Sequence, residues 1–192
     1  MPLSPEQIAG CWRQEYEKAP ATLARMSEIN TLAAAFNANV DSVVKISGAE
    51  LQRRIRQTGM TLAELKNDAD RSIRRPEDVL RGIFRCFTLG IAEEWIAQDK
   101  EIYRWMKKEL GTEKLQMGAQ AGIIANTMSL TGIGRVVTHV GALPELQARQ
   151  FFKRDNLLSF DQNGTLKPAH TVNRPNEEAS IHWIIEFDKD DR

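Results

Sequence analysis

The sequence contains only two cysteines, carries no excess of positive or negative charge, and begins without the basic and apolar segments of a secretory signal. Cys11 and Cys86 stand in helical patterns without a Cys or His at metal-ligand spacing, so we expect both to be buried in a reducing compartment. The 26 basic and 26 acidic residues balance, which leaves no basic surface for nucleic acid or an anionic membrane. We therefore expect a cytoplasmic protein with no nucleic-acid and no membrane partner.

The common enzymatic motifs are also absent. The sequence has no His-Glu-x-x-His, no Gly-x-Ser-x-Gly and no Cys-x-x-Cys. Its longest apolar stretch, 122–143, contains Asn126 and Arg135 and reads as a buried helix, a glycine turn and a buried strand. Of the widely spaced histidines, His139 ends an apolar strand and is expected in the core. His182 interrupts an apolar strand, and it is either a site residue or an outward-facing strand residue.

The most informative segment is 36–41, Phe-Asn-Ala-Asn-Val-Asp, which follows the apolar run 31–36. If that run is a strand, Asn37, Asn39 and Asp41 project from one side of the chain just past its carboxyl end. Ligands bind at this edge of α/β sheets, and amide and carboxylate groups suit a polyhydroxylated molecule. The same pattern also fits a plain turn.

A second informative segment is 115–122, Leu-Gln-Met-Gly-Ala-Gln-Ala-Gly, in which a strand meets a helix through a glycine turn. Free backbone N–H groups at such a turn face a ligand, and Gly118 allows close approach. Gln120 adds a neutral donor and acceptor. The segment matches neither the P-loop nor the dinucleotide fingerprint, and a tight turn without a ligand explains it equally well.

The order of elements predicts an α/β protein in which strands and helices alternate, as in a parallel doubly wound sheet. We expect Pro20 to break or kink the first helix, and a helix over 144–152. The short strands near Val40 and after Leu157 form a separate small sheet in this interpretation. The chain then divides into a large incomplete α/β lobe, 1–37 and 76–153, and a lid with connecting segments, 38–75 and 154–192.

Four segments together resemble the ADP-dependent sugar kinases, the glucokinase and phosphofructokinase family with a ribokinase-like fold. They are 36–41, 115–126, 137–152 (Val-Thr-His-Val-Gly-Ala-Leu-Pro-Glu-Leu-Gln-Ala-Arg-Gln-Phe-Phe) and 181–187 (Ile-His-Trp-Ile-Ile-Glu-Phe). Their order and approximate spacing are similar to the family's across residues 31–187. The resemblance implies the N-terminal portion of such a kinase, with a sugar cleft between a large α/β lobe and a small β lid.

The resemblance also implies roles for individual residues. Asn39 and Asp41 would hold sugar hydroxyls. Gly118 and Ala119 would contribute backbone contacts, and Gln120 a side-chain contact. Ala119 stands where the family commonly has a second Gly. We expect this departure to be mild and to leave the backbone contact intact.

Two further positions bear on the identity of the sugar. The resemblance places Glu94 at the family's specificity position, which is Glu in the glucose-using and bifunctional branches and a small residue in the strict fructose-6-phosphate branch. Neighbouring Glu93 competes for this position. His182 matches a lid position that is His in the glucose branch and Arg in the fructose-6-phosphate branch, where Arg pairs with the substrate's phosphate. Both residues favour glucose.

The family's catalytic parts are not expected in this chain. Its Gly-x-Gly-Asp segment, which supplies the catalytic base, has no counterpart here, because the similar string 132–135 ends in Arg135. The residues that organise Mg²⁺ and the nucleotide are likewise expected elsewhere, so we expect no catalytic residue, no metal ligand and no bound ADP in this chain. Phosphoryl transfer depends on such positioning groups.

The resulting interpretation is ADP-dependent phosphorylation of glucose to glucose 6-phosphate with release of AMP, this chain carrying the sugar-binding part. The expected partners are a hexose and the remainder of the kinase chain, with Mg²⁺ and ADP bound in the complete enzyme. An ADP-dependent phosphofructokinase or a bifunctional enzyme is the first alternative, and a non-catalytic sugar-binding or regulatory module is the second. An incomplete sheet would leave an unpaired edge and an uncovered apolar face, so self-association is also expected.

Overall fold

The computed structural model describes residues 2–67, 72–97, 99–111 and 114–187. The helices are α1 (Pro5–Ala24), α2 (Gly48–Thr58), α3 (Leu62–Leu65), α4 (Pro76–Leu89), α5 (Lys100–Glu109), α6 (Gln120–Met128) and α7 (Glu145–Ala148). The strands are β1 (Thr31–Phe36), β2 (Asn39–Lys45), β3 (Ser72–Ile73), β4 (Ile96–Ala97), β5 (Leu115–Gly118), β6 (Arg135–Val140), β7 (Leu157–Phe160), β8 (Leu166–Pro168) and β9 (Ile181–Glu186). Short 3₁₀ turns span Arg25–Glu28 and Ala169–Thr171.

Local sequence signals set most helix ends. The Ser4 and Thr61 side chains accept hydrogen bonds from backbone N–H groups at the starts of α1 and α3, each in a reciprocal capping box. At the other end, α2 and α4 stop at Gly59 and Gly90, whose φ angles are 72° and 67°. Glycine adopts this left-handed conformation without a steric penalty, so it terminates both helices.

Helix α1 departs from two expectations. Pro20 lies inside the helix, which continues to Ala24, so the predicted break does not occur. No residue of α1 is buried, and Cys11 is exposed instead of buried. The apolar side chains of α1, including Trp12 at 64% and Tyr16 at 75% exposure, are therefore not part of a core.

The described residues form two compact units. The first unit comprises residues up to Val40 together with Met117–Ile181. Its four-stranded sheet has the order β1-β6-β7-β8, in which β1, β6 and β7 are parallel and β8 is antiparallel to β7. Within the described residues, β1 lies at one edge.

One face of this sheet carries the core of the first unit. Val136 and Val140 of β6 and Leu157 of β7 are fully or almost fully buried, and they belong to a cluster that includes Ala121 and Ala125 of α6. The alternate side chains lie on the other face, where Ala33 of β1 and Arg135 and His139 of β6 are exposed. Parallel sheets are usually covered on both faces, whereas within the described residues the core lies on one face of this sheet. Self-association through the open face stays a prediction.

The second unit comprises Asp41–Gln116 and the residues from His182 onward. Its core gathers apolar side chains of α2, α4 and α5, and Trp183 and Ile185 of β9 pack against it. Strands β2, β5 and β9 form a three-stranded sheet with β2 in the centre, and β3 pairs with β4 in parallel. The chain passes from one unit to the other within β2, at the start of β9 and within β5.

Three parts of the predicted organisation differ from the structure. Strands β7 and β8 extend the main sheet through β6 instead of joining a small sheet. Residues 76–116 fall in the second unit and 154–181 in the first, so the two units differ from the predicted lobes. Helix α7 has only four residues, because the Asn126 side chain donates to the Gln150 carbonyl and accepts from the Phe152 N–H, so these groups do not continue the helix.

Candidate functional site

The chain leaves β1 through a strained residue. Phe36 has a φ of 75°, which is uncommon for a bulky side chain, and it is 82% exposed. The N–H of Asn37 donates to the Ala35 carbonyl over 3.1 Å, which closes a tight turn. This turn separates β1 from β2 and places Asn37, Ala38 and Asn39 beyond the carboxyl end of the parallel strand.

The two motifs singled out in the sequence meet in the first unit. The Ala121 N–H, in the first turn of α6, donates to the Asn37 carbonyl over 2.9 Å. Ala38 is buried in the same cluster as Ala121. A Cβ placed on Gly122 would lie 3.2 Å from the Cβ of Ala38 and would overlap the Met117 side chain. Glycine at position 122 therefore lets α6 approach the segment that carries Asn39.

A buried glutamine fixes this segment from the other side. Gln147 is fully buried, and its Nε2 donates to the Ala38 carbonyl over 3.0 Å. Its Oε1 accepts from the Ser180 N–H at 3.2 Å, and the Ser180 carbonyl accepts from the Val40 N–H at 2.8 Å. Asn39 thus lies between two backbone groups that are held directly or indirectly by Gln147.

The residues around the start of α6 have different degrees of exposure. Gly118 is buried, Ala119 is half-buried, and the Gln120 side chain is exposed. No side chain caps the N-terminus of α6, and the Ala121 N–H of its first turn is bonded to the Asn37 carbonyl. Asn39 is only 3% exposed, so a direct contact between its side chain and a ligand requires local opening.

Ala119 occupies a backbone conformation that normally requires glycine. Its φ is 58° and its ψ is 159°, a region that side chains with a Cβ enter only at a cost of about 1–3 kcal/mol. The substitution at Ala119, which the resemblance led us to expect to be mild, therefore carries backbone strain, although the chain still turns here into α6. The strain lies in the residue that joins β5 to the candidate site.

We expect Ala119→Gly to raise the free energy of unfolding by about 1 kcal/mol, because relief of strain exceeds the entropy that glycine adds to the unfolded chain. Urea denaturation followed by circular dichroism measures the change. Ala121→Gly is the matched control, since Ala121 lies in the first turn of α6 and glycine there should lower stability by about the same amount. A loss of stability in Ala119→Gly would contradict the assigned strain.

In the second unit, Asp41 and His182 are neighbours on adjacent strands. The Val40 N–H donates to the Ser180 carbonyl, and the Ile46 N–H donates to the Glu186 carbonyl at 2.9 Å. Because both pairs have the same offset, β2 and β9 run parallel in one register, with Asp41 opposite His182. Opposite residues share a face of the sheet. Asp41 is half-buried and His182 is exposed, as an outward-facing strand residue would be.

The two adjacent glutamates of the second unit occupy different environments. The Glu93 side chain is 7% exposed and pairs with Arg85 of α4, while Glu94 is exposed. Glu94 lies on the segment between α4 and β4. Of the two candidates for the specificity position, only Glu94 is open to solvent.

Residues 30–192 match the sequence profile of a family described as the ADP-specific phosphofructokinase/glucokinase conserved region. The chain belongs to this family. It is 32% identical over 158 residues to the ADP-specific phosphofructokinase of Pyrococcus abyssi, covering 81% of this chain and 35% of that protein. It is 30% identical over 179 residues to the ADP-dependent glucose/glucosamine kinase of the same organism, covering 92% of this chain and 38% of that protein.

A solved structure supports the assignment to the ADP-specific phosphofructokinase/glucokinase family. The last common ancestor of ADP-dependent phosphofructokinases from Methanosarcinales superposes with a TM-score of 0.73 at 27% identity, covering 94% of this chain and 38% of that one. The predicted α/β, ribokinase-like fold class is therefore confirmed. The chain spans between a third and two fifths of the length of these relatives.

The part of this family member that the structure describes does not provide a metal centre. Among residues 2–67, 72–97, 99–111 and 114–187, no three His, Cys, Asp or Glu side chains are grouped so that they could hold a metal ion. None of the helices within these ranges is both long and apolar enough to cross a membrane.

Two residues that organise the site were missed from the sequence of this kinase-family member. Gln147 lies among apolar residues of a helical pattern, and its partner Ala38 is 109 positions away. Arg85 lies on α4 and pairs with Glu93, eight positions along the chain. For Gln147 the signal in the sequence was a polar side chain among apolar residues, and that signal does not identify a partner.

Proposed function

We propose that this chain forms the sugar-binding part of an ADP-dependent hexose kinase. The observation that carries the proposal is the meeting of the segment around Asn39 with the first turn of α6, through the bond from Ala121 to Asn37. This contact places the exposed Gln120 and the first turn of α6 beside the segment that follows β1. Neutral donors and acceptors of this kind suit sugar hydroxyls.

In the proposed reaction, a hexose hydroxyl attacks the β-phosphorus of ADP. The bond from that phosphorus to the bridging oxygen breaks, AMP leaves, and the hydroxyl proton passes to a base. We assign the base, the nucleotide pocket and the Mg²⁺ that offsets phosphate charge to the remainder of the kinase chain. The share of the present residues is to bind and orient the sugar, which is how proximity contributes to rate.

Glucose is the sugar that we favour. Asp41 and His182 lie side by side on strands β2 and β9, and Glu94 presents an exposed carboxylate, which repels a phosphorylated sugar. An Arg at position 182 would pair with a phosphate through two parallel hydrogen bonds, whereas the imidazole of His cannot form such a bidentate pair. Fructose 6-phosphate is the second candidate, since the chain matches both a relative named ADP-specific phosphofructokinase and one named ADP-dependent glucose/glucosamine kinase at similar identity.

We expect the chain of 192 residues to bind glucose weakly, with a Kd on the order of millimolar, and to bind ADP not at all. Titration of the ¹⁵N-labelled chain, checked by calorimetry, measures both. Shifts should appear at Asn39, Asp41, Gln120 and His182. Gln120→Ala should weaken glucose binding about threefold to tenfold, because one side-chain contact is lost.

The matched control is Gln116→Ala, which removes another exposed glutamine close in sequence. This variant should bind glucose like the unaltered chain. Saturable binding of ADP would mean that the nucleotide pocket has been assigned to the wrong part of the kinase. Tighter binding of fructose 6-phosphate than of glucose would reverse the choice of sugar.

A further inference from the structure

The segment between α4 and β4 is attached to α4 by an aromatic contact. The Trp95 ring packs against Gly82, so closely that a Cβ added to this glycine would lie 3.1 Å from Cδ2 of the indole. The half-buried ring is one of the apolar side chains packed against the core of the second unit. The indole ring of Trp95 therefore lies directly against α4 at Gly82.

The same segment is attached to α4 a second time, through an ion pair. The Nε of Arg85 donates to both carboxylate oxygens of Glu93, at 3.1 and 3.2 Å. The Trp95 Nε1 donates to one of these oxygens at 3.1 Å. The Glu93 side chain is 7% exposed and that of Arg85 29%. The carboxylate therefore joins the helix to the aromatic side chain.

Two residues of the segment thus face α4, and the residue between them does not. Glu93 and Trp95 contact the helix, while Glu94 is exposed. We infer that Glu93 is a positioning residue, which binds Arg85 and Trp95 so that the carboxylate of Glu94 is held toward solvent for the sugar. This inference rests on the proposed function for the role of Glu94, whereas the attachment of the segment by Glu93 is independent of it.

The carboxylates of Glu93 and Glu94 have different roles in this arrangement. Glu93 is engaged with a guanidinium and an indole N–H, so it is not open to a hydroxyl. Glu94 has the same charge and length but is exposed, so it can accept a hydrogen bond from a ligand. A segment attached at positions 93 and 95 leaves Glu94 fewer conformations to lose on binding, which favours affinity.

The test compares Glu93→Gln with Glu94→Gln in the ¹⁵N-labelled chain. Glu93→Gln removes the charge that binds Arg85 while keeping the size of the side chain. We expect the Trp95 indole N–H to exchange with solvent about tenfold faster, because a hydrogen bond to a charged group is lost. The order parameter of the Glu94 amide should fall, and glucose binding should weaken about threefold or more. Unchanged exchange and order in Glu93→Gln would overturn the inference.

Glu94→Gln is the matched control for the site, and it should weaken glucose binding with the Trp95 signals unchanged. Trp95→Phe is a second variant, which keeps a ring against Gly82 and removes the N–H donor, and it should lower the Glu94 order parameter without unfolding the chain. Changed Trp95 signals in Glu93→Gln with undiminished glucose binding would reject the positioning role. If the unaltered chain binds no glucose, the proposed function fails for this chain, and the exchange and order measurements decide on the attachment alone.

Discussion

A Gln147→Met variant should lose about 3 kcal/mol of unfolding free energy, because the fully buried Gln147 side chain bonds the carbonyl of buried Ala38 and the N–H of Ser180, and both bonds are lost. Methionine has nearly the same length as glutamine, so the substitution removes polar atoms without opening a cavity. The Ala38 carbonyl would then lack this donor at a buried position, and the Ser180 N–H would lack the acceptor of a partly buried hydrogen bond. Urea denaturation measures the loss, and amide exchange at Ser180 should become faster.

The matched control is Gln150→Met. The Gln150 side chain is half-buried and donates to the nearby Leu146 carbonyl, so this substitution should lower the unfolding free energy by only about 0.5–1 kcal/mol. Equal losses in the two variants would show that Gln147 has no special role. Glucose binding should also weaken in Gln147→Met, since the segment carrying Asn39 loses its support from Gln147.

Elements defined by local chemistry were predictable from the sequence. The capping box at Thr61 and Glu64, the glycine stop at Gly59 and the tight turn before Gly164 each depend on residues within a few positions. Short-range hydrogen bonds and backbone preferences decide such features, and the residues that determine them are neighbours in the sequence. The same holds for β6, Arg135–Val140, which is the strand predicted within the apolar stretch 122–143.

Features that depend on distant partners were not predictable. Strand β7 belongs to the main sheet because it pairs with β6. Helix α7 ends early because the side chain of Asn126, 24 residues before Gln150, donates a hydrogen bond to the Gln150 carbonyl. No local pattern shows either partner. The predicted lobes differ from the observed units for the same reason. The chain passes from one unit to the other inside strands, where the amino-acid composition shows no boundary.

The candidate site shows the same contrast. The two sequence motifs, 36–41 and 115–122, identified the segments around Asn39 and Gln120. The hydrogen bond from the Ala121 N–H to the Asn37 carbonyl brings these segments together in the first unit. The sequence did not separate Glu93 from Glu94, because both are acidic and adjacent. Only the contacts of Arg85 and Trp95 distinguish them. The roles of all these residues in sugar binding stay predictions.

The second large effect is expected at the start of α4, the helix to which Glu93 attaches. Asp78 accepts from the Arg74 and Arg75 N–H groups at 3.1 and 3.2 Å and from Arg81 Nη1 at 2.7 Å. Arg81 also donates to the Glu64 carbonyl, and both charged side chains are almost fully buried. Asp78→Ala leaves the Arg81 charge without this partner and should cost about 3–4 kcal/mol of unfolding free energy.

Glu77→Ala is the control for Asp78→Ala, because Glu77 is an acidic residue of the same first turn and is half-buried. It should change the unfolding free energy by no more than about 0.5 kcal/mol. Asp78→Asn should cost less than Asp78→Ala, since an amide oxygen can still accept a backbone N–H. A cost for Asp78→Ala no larger than that of Glu77→Ala would contradict the buried ion pair.

The pH dependence of stability gives an independent measure of the same pair. Burial raises the pKa of Asp78, but the bonds from the Arg74 N–H and Arg81, with the charges of Arg81 and Arg75, outweigh it and hold the pKa below its ordinary value of 3.8. The stabilisation by this carboxylate is therefore complete above the ordinary value and is lost as the pH falls through the lowered one. The difference in unfolding free energy between the unaltered chain and Asp78→Asn should be constant near neutrality and should narrow below about pH 4. A difference that stays constant or widens on acidification would mean that the charge of Asp78 does not stabilise the start of α4.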